Sequence, residues 1–248
     1  MNSENNMNPR KTARIVGVLF IIGTVAGILS FVGMGPQATP DYLVNVSSNG
    51  NQIITGALLV LIMGVSLAPV PVLLFPILKK YNESLALGYI VFRVLEVVMY
   101  IGVVISWLLL LTLSQQYVQA GAPDASFYQA LGTLVQAAGE WIDPILVIIF
   151  SISALILNYV FYQSELIPRW LSGWGLIGAT LHLAEGLLAF FGYPDISVLG
   201  IPVYLPIALQ EMVYAVWLIV KGFNPSAIAS GYANTEANES AGLTPEEE

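Results

Sequence analysis

The stretch from Leu85 to Leu113 reads LALGYIVFRVLEVVMYIGVVISWLLLLTL, 29 residues in which Arg93 and Glu96 are the only charges. At 1.5 Å per residue a helix of this length is about 43 Å long, more than the roughly 30 Å hydrocarbon core of a bilayer. A barrel strand would alternate polar and apolar residues over about 10 positions. Here the apolar residues run on without alternation, which leaves the helix as the spanning element, because its backbone donors and acceptors are satisfied internally.

Working outward, five further apolar runs have the same character: Ile15 to Met34, Ile53 to Leu78, Ile142 to Phe161, Trp170 to Phe191 and Leu199 to Val220. The whole chain of 248 residues is 56% hydrophobic and 10% charged, with a mean hydropathy of +0.76. Soluble domains carry about 25% charged residues, so a water-soluble globular fold is excluded. The expected fold is all-α: a polytopic membrane protein with six transmembrane helices in a bundle and a short interfacial helix in an outer loop.

The Lys and Arg residues give this bundle a direction. Arg10, Lys11 and Arg14 precede the first run, Lys79 and Lys80 follow the second, Arg169 follows the fourth and Lys221 closes the sixth. The loops on the opposite side hold none. Basic short loops stay cytoplasmic, which predicts a multi-pass protein with both termini inside. Residues 1–14 then form a cytoplasmic tail, 15–221 the transmembrane domain and 222–248 an acidic tail. That tail includes Glu236, Glu239, Glu246, Glu247 and Glu248, and its Ser, Asn and Glu content predicts disorder. The first run is expected to be retained, since its Gly35-Pro36-Gln37 exit lacks a small-x-small cleavage site.

Local signals fill in the loops. Thr39-Pro40-Asp41 is a helix-start pattern that predicts a short interfacial helix within Gly35 to Gln52. Between Ser114 and Asp143, Asp124 is placed to cap a helix in which Phe127, Leu131, Leu134, Val135 and Ala138 recur at helical spacing, a lid over the outer mouth. Asp143-Pro144 reads as the next helix start, and Glu140 with Asp143 as capping and solvated carboxylates in preference to a divalent-cation pair. Gly23 and Gly27, four apart, allow a close helix contact, internal or between copies. Pro69, Pro71 and Pro76 predict a bend in the second crossing.

Ionisable groups at membrane depth are the candidate site. Residues three and four apart share a helix face, so Tyr89, Arg93, Glu96 and Tyr100 form one polar stripe. His182 and Glu185 form a second, and Glu211, beside Gln210 and Tyr214, a third. Facing lipid, each charge costs several kcal/mol, so the stripes are expected to turn toward one another. One arginine then meets three glutamates and the single histidine of the chain. They cannot all be ionised alone: a glutamate holds a proton, His182 is protonated, or a metal or cationic substrate supplies the balance. Arg93, Glu96, Tyr100, His182, Glu185 and Glu211 are thus a candidate ligand or proton site, against the alternative of a purely structural interhelical network.

The segment LKKYNESLALGY at 78–89 running into FRVLE at 92–96, with PRWLSGWG at 168–175, QE at 210–211 and WLIVKGFN at 217–224, resembles a bacterial integral-membrane family of unknown function, domain of unknown function 4386. The likeness extends from Arg14 to Asn224. It implies a six-helix protein of the bacterial inner (plasma) membrane and matches Arg93, Glu96 and Glu211 to polar positions of the family's motifs. It implies no activity, and His182 belongs to none of those motifs.

Enzyme signatures are missing from the sequence. There is one histidine and no His-Glu-x-x-His, no Gly-x-Ser-x-Gly elbow, no phosphate loop and no dinucleotide fingerprint, and Ser106 and Ser151 read as helix-contact residues. No cysteine is present to act as nucleophile or metal ligand. No cofactor or metal is therefore expected, and without a basic patch no nucleic acid. The expected partners are the lipid bilayer and a small ligand or cation; protein partners are not legible. The reading is a helical-bundle membrane scaffold or regulatory protein, with a proton- or cation-coupled transporter or small-ligand receptor as the alternative.

Overall fold

The computed structural model describes residues 8–31, 41–121, 125–193 and 197–241, the side chains of 125, 197–203 and 234–241 excepted. These residues form nine helices: α1 (Pro9–Ser30), α2 (Tyr42–Ser48), α3 (Gly50–Leu67), α4 (Pro69–Leu78), α5 (Glu83–Gln119), α6 (Ala125–Ser164), α7 (Arg169–Phe190), α8 (Ser197–Val220) and α9 (Pro225–Ala241). No strand occurs among them. Five to six helices are long and apolar enough to span a membrane, with α3 and α4 together making one span over Gly50–Leu78. The chain is an all-α, multi-pass membrane protein. Its outward faces are apolar, as at Val65, Val72, Ile177 and Leu205, which suits a hydrocarbon solvent.

Helix starts follow from local chemistry. Pro9 sits in the first turn of α1, where its missing donor costs nothing, and the Asn8 side chain accepts from the Arg10 N–H at 2.9 Å. Asn82 caps α5 by accepting from the Leu85 N–H at 2.9 Å, and Glu83 follows in the positive first turn. The second crossing breaks at Ala68, just before Pro69 and Pro71, whose absent N–H groups interrupt the ladder.

The helices pack as a closed ring in the order α1, α3, α5, α6, α7, α8 and back to α1. Small residues set the tight contacts. Gly17 of α1 lies against α8, where a β-carbon would stand 2.5 Å from the Ala215 carbonyl oxygen. Gly23 meets Leu67 and Gly27 meets Met63, so this glycine pair serves an internal contact with α3. Gly178 of α7 packs on the backbone of Ile207 in α8. Between helices in lipid, such close approach supplies dispersion energy that apolar burial cannot.

At the end of the bundle carrying the basic residues, α8 closes with Gly222 in the left-handed region at φ +76°. The Arg10 guanidinium donates to the Lys221 carbonyl and, at 2.6 Å, to that of Val220. A cation thus sits on the negative end of the α8 dipole and joins both chain ends. The disordered tail expected over 222–248 is instead helical as far as Ala241. Asn224 accepts from the Ser226 N–H at 3.1 Å and Pro225 takes the first helical position, a start signal hidden by the polar composition downstream. The chain turns by 83° into α9. Phe223 and Ala227 are buried, the Asn224 N–H donates to the Leu166 carbonyl at 2.9 Å, and the Tyr81 hydroxyl donates to the Ala227 carbonyl at 2.6 Å. Burial pushes the Tyr81 hydroxyl up to about 12, so it remains a donor well above neutral pH. Lys80 stands over the Tyr232 ring at 3.0 Å. Glu246, Glu247 and Glu248 lie outside the described residues.

At the opposite, far end, the expected short helix is α2. Leu43 and Val46 pack with Ile53, Leu110 and Leu111 in a small second core, with Val135 at its edge. The Thr39-Pro40 and Asp124 caps lie outside the described residues. The expected lid and the helix start at Asp143-Pro144 need correction. α6 runs unbroken from Ala125 to Ser164 with Pro144 inside it. Phe127 and Leu134 are exposed, the latter by 67%, so this face does not close over the bundle. The cause is the partner helix: α5 and α6 are 37 and 40 residues long, and their packing keeps α6 helical through one missing hydrogen bond.

Gly17→Ala should lower the unfolding temperature measurably, since its β-carbon meets backbone and overpacking costs roughly 1–3 kcal/mol. Gly88→Ala, with its nearest neighbour atom at 3.6 Å, should be neutral or stabilising. Thermal unfolding of the two purified variants in one detergent checks the contrast; equal shifts would contradict the tight α1 and α8 contact.

Candidate functional site

The polar stripe of α5 is an almost self-contained network. The Arg93 Nη1 donates to both Glu96 oxygens at 2.8 and 3.0 Å, and its Nη2 lies 3.3 Å from the Tyr89 hydroxyl. The Tyr100 hydroxyl donates to Glu96 Oε1 at 2.6 Å. All four residues lie on one helix, at offsets of three, four and seven, so the face is fixed as soon as the helix forms. Arg93 is 1% exposed and Glu96 0%.

Two other helices complete the site. The Arg93 guanidinium stands 5.6 Å from the ring centroids of both Phe20 on α1 and Tyr89, and Tyr214 of α8 meets the Phe20 ring edge-on at 5.1 Å. Glu211, half-buried on α8, interacts electrostatically with Arg93 and Glu96. Depth explains the meeting. Arg93 lies about 15 Å from the start of α5, Phe20 about 17 Å from that of α1, and Glu211 about 14 Å from the end of α8, all measured from the basic end. Next to Glu211, Gln210 donates to Asn158 Oδ1 at 3.1 Å and to the Leu171 carbonyl at 3.2 Å, tying α8 to α6 and α7.

His182 and Glu185 belong elsewhere, so the single shared cluster expected from the sequence divides in two. α7 packs between α6 and α8, across the ring from α3. His182 Nδ1 is 2.9 Å from Ser151 Oγ on α6, and its ring stands edge-on to Tyr204 of α8 at 4.5 Å and to Phe150 at 5.3 Å. Glu185 interacts electrostatically with Asp143 of α6, as does Tyr204. At about 20 and 24 Å from the start of α7, His182 and Glu185 lie nearer the far end than Arg93 does.

The second cluster contains three residues that sequence reasoning left out. In sequence Asp143 has the signature of a helix cap because Pro144 follows it, and Ser151 that of a helix-contact residue. Tyr204 carries no motif at all; only its proximity in the fold marks it. Among the described residues no group of three or more His, Asp or Glu is placed to hold a metal ion.

A ring of apolar helices enclosing an Arg–Glu pair at membrane depth defines a multi-pass integral-membrane protein with a polar interior. The family described as Domain of unknown function (DUF4386) matches residues 15–222, and the chain belongs to it. An uncharacterized protein of Archaeoglobus fulgidus is 29% identical over 83 residues, which are 34% of this chain and 48% of that protein. The chain thus spans about half the length of this relative. No solved structure matches.

Removing one partner of an enclosed ion pair costs about 3–5 kcal/mol, and losing one neutral hydrogen bond about 1. Glu96→Gln should therefore destabilise the purified protein most, Tyr100→Phe less and Glu185→Gln least, because Glu185 has no ion-pair partner to leave behind. Unfolding temperatures of the three variants report the order; equal stability of Glu96→Gln and Glu185→Gln would contradict it.

Proposed function

We propose that this is a scaffold or regulatory protein of the bacterial inner membrane, with both termini cytoplasmic, in which the α5 network is a structural clamp. The observation that carries the reading is the sealing of Glu96: at 0% exposure, both its oxygens are engaged by Arg93 and one also by Tyr100. A carboxylate that passes protons or cations must offer an oxygen to the traveller and meet water on each side in turn. Glu96 has both oxygens engaged from its own helix. Orientation rests on the seven basic residues gathered at one end, and α9, docked there, supplies a helical surface for protein partners at the cytoplasmic face.

Transport remains the competing reading because of Glu211, half-buried and joined to the network by charge without a hydrogen bond among the described residues. Liposomes containing the full chain and a pH-sensitive dye, placed under proton, sodium or potassium gradients, separate the two. The expected result is leakage equal to that of empty liposomes; flux that Glu211→Gln abolishes would assign coupled transport instead. Orientation has its own check, since the chain has no cysteine. In intact cells an impermeant maleimide should label Ser48→Cys and spare Ser230→Cys, both exposed positions; the reverse pattern would invert the topology.

A further inference from the structure

The far cluster has a donor and acceptor balance that specifies a ligand. The Ser151 hydroxyl donates to the Val147 carbonyl at 2.7 Å. A hydroxyl has one proton, so both bonds are made together only when Ser151 Oγ accepts, at 2.9 Å, from an N–H on His182 Nδ1. In the neutral ring Nε2 is then a lone pair, diverging from Nδ1 and so turned away from Ser151. His182 is 3% exposed, yet Nε2 has no hydrogen-bond partner. One turn along the same face of α7, the enclosed Oε2 of Glu185 is also unpartnered. Buried polar atoms are normally satisfied, because leaving one open forfeits its hydration with nothing in exchange.

Charge points the same way. Glu185 and Tyr204 each interact electrostatically with Asp143. No lysine or arginine can neutralise them: of the eight in the chain, Arg93 is held by Glu96 and the other seven lie toward the basic end. A neutral hydroxyl compound would satisfy the lone pairs and leave the acids uncompensated. An anion would find no donor set. A quaternary ammonium would bring charge without an N–H for Nε2.

We propose that His182, Glu185, Asp143 and Tyr204 form a binding site for a primary or secondary organic ammonium ion, entered from the far side of the membrane. The N–H groups meet His182 Nε2 and the Glu185 carboxylate, Asp143 balances charge, and the rings of Tyr204 and Phe150 flank the apolar substituent. Asp143 is exposed and Tyr204 is 37% exposed, so the site is open at its edge while His182 forms its floor. This goes beyond the scaffold reading and does not depend on it, because none of these residues belongs to the α5 clamp.

His182 is the sole histidine, so labelling histidine with nitrogen-15 gives one imidazole to observe. In the full-length protein in nanodiscs, the free form should show the Nδ1–H tautomer. Titration with hexylammonium should shift the Nε2 resonance and saturate, whereas hexyltrimethylammonium should shift it at least tenfold more weakly. Glu185→Gln and Asp143→Asn should each raise the half-saturating hexylammonium concentration at least tenfold, and Glu211→Gln, in the other cluster, should leave it unchanged. An Nε2–H tautomer, an unmoved resonance, equal response to the quaternary ion, or equal response of wild type and both acid variants would overturn the proposal. So would a response to zinc ion in place of the amine.

Discussion

A guanidinium roughly 15 Å inside a row of apolar helices is the constraint around which this bundle is arranged. Arg93 cannot lose its proton, and an unpaired charge in that setting costs several kcal/mol. Glu96 answers it from three residues away, Tyr89 and Tyr100 fill the remaining positions of the same face, and Phe20 and Tyr214 wrap the group in rings. The clamp thereby dictates which face of α5 turns inward, and its depth sets the register at which α1 and α8 meet it. Gly17 on the Ala215 carbonyl then allows those two helices the closeness that an aromatic cover requires.

How far the sequence could be read follows from the range of each interaction. The apolar crossings and the asymmetry of Lys and Arg depend on composition along the chain, and both are plain from Arg10 to Lys221. The α5 stripe was legible in full because its four residues are neighbours on one helix, where geometry is set by the 3.6-residue turn. Which stripes face one another was not. Helical spacing places His182 and Glu185 together on α7, but only the ring order, with α7 between α6 and α8, sends them to Asp143 and Tyr204 and away from Arg93.

Two misreadings share a cause. Asp143-Pro144 has the local chemistry of a helix start, yet α6 continues through it since α5 runs alongside and one missing backbone bond is small against that contact. The tail has the composition of a disordered segment, yet Phe223 and Ala227 anchor its first turn beneath Tyr81, where burial outweighs the polar residues that follow. In both places a tertiary partner overrides a local signal. Gly23 and Gly27 show the converse: the local signal was right about close approach, and only the fold could name α3 as the partner.

The two polar clusters solve the problem of buried charge in opposite ways, and the distribution of basic residues decides which solution is available. On α5 the cation and the anion are both in the chain, so the charges balance internally and the site closes to within 1% exposure, leaving Arg93 Nε and the Tyr214 hydroxyl as its unpartnered polar atoms. Toward the far end the chain supplies acids, a lone pair and a phenol but no cation, and a closed site built from such parts would bury like charges with no counterion. The structure leaves that cluster open at Asp143 and Tyr204 while keeping its histidine enclosed. The segregation of Lys and Arg toward one end therefore has a structural effect: it empties the far half of internal counterions, so that any charge placed there must be neutralised by protons or from outside.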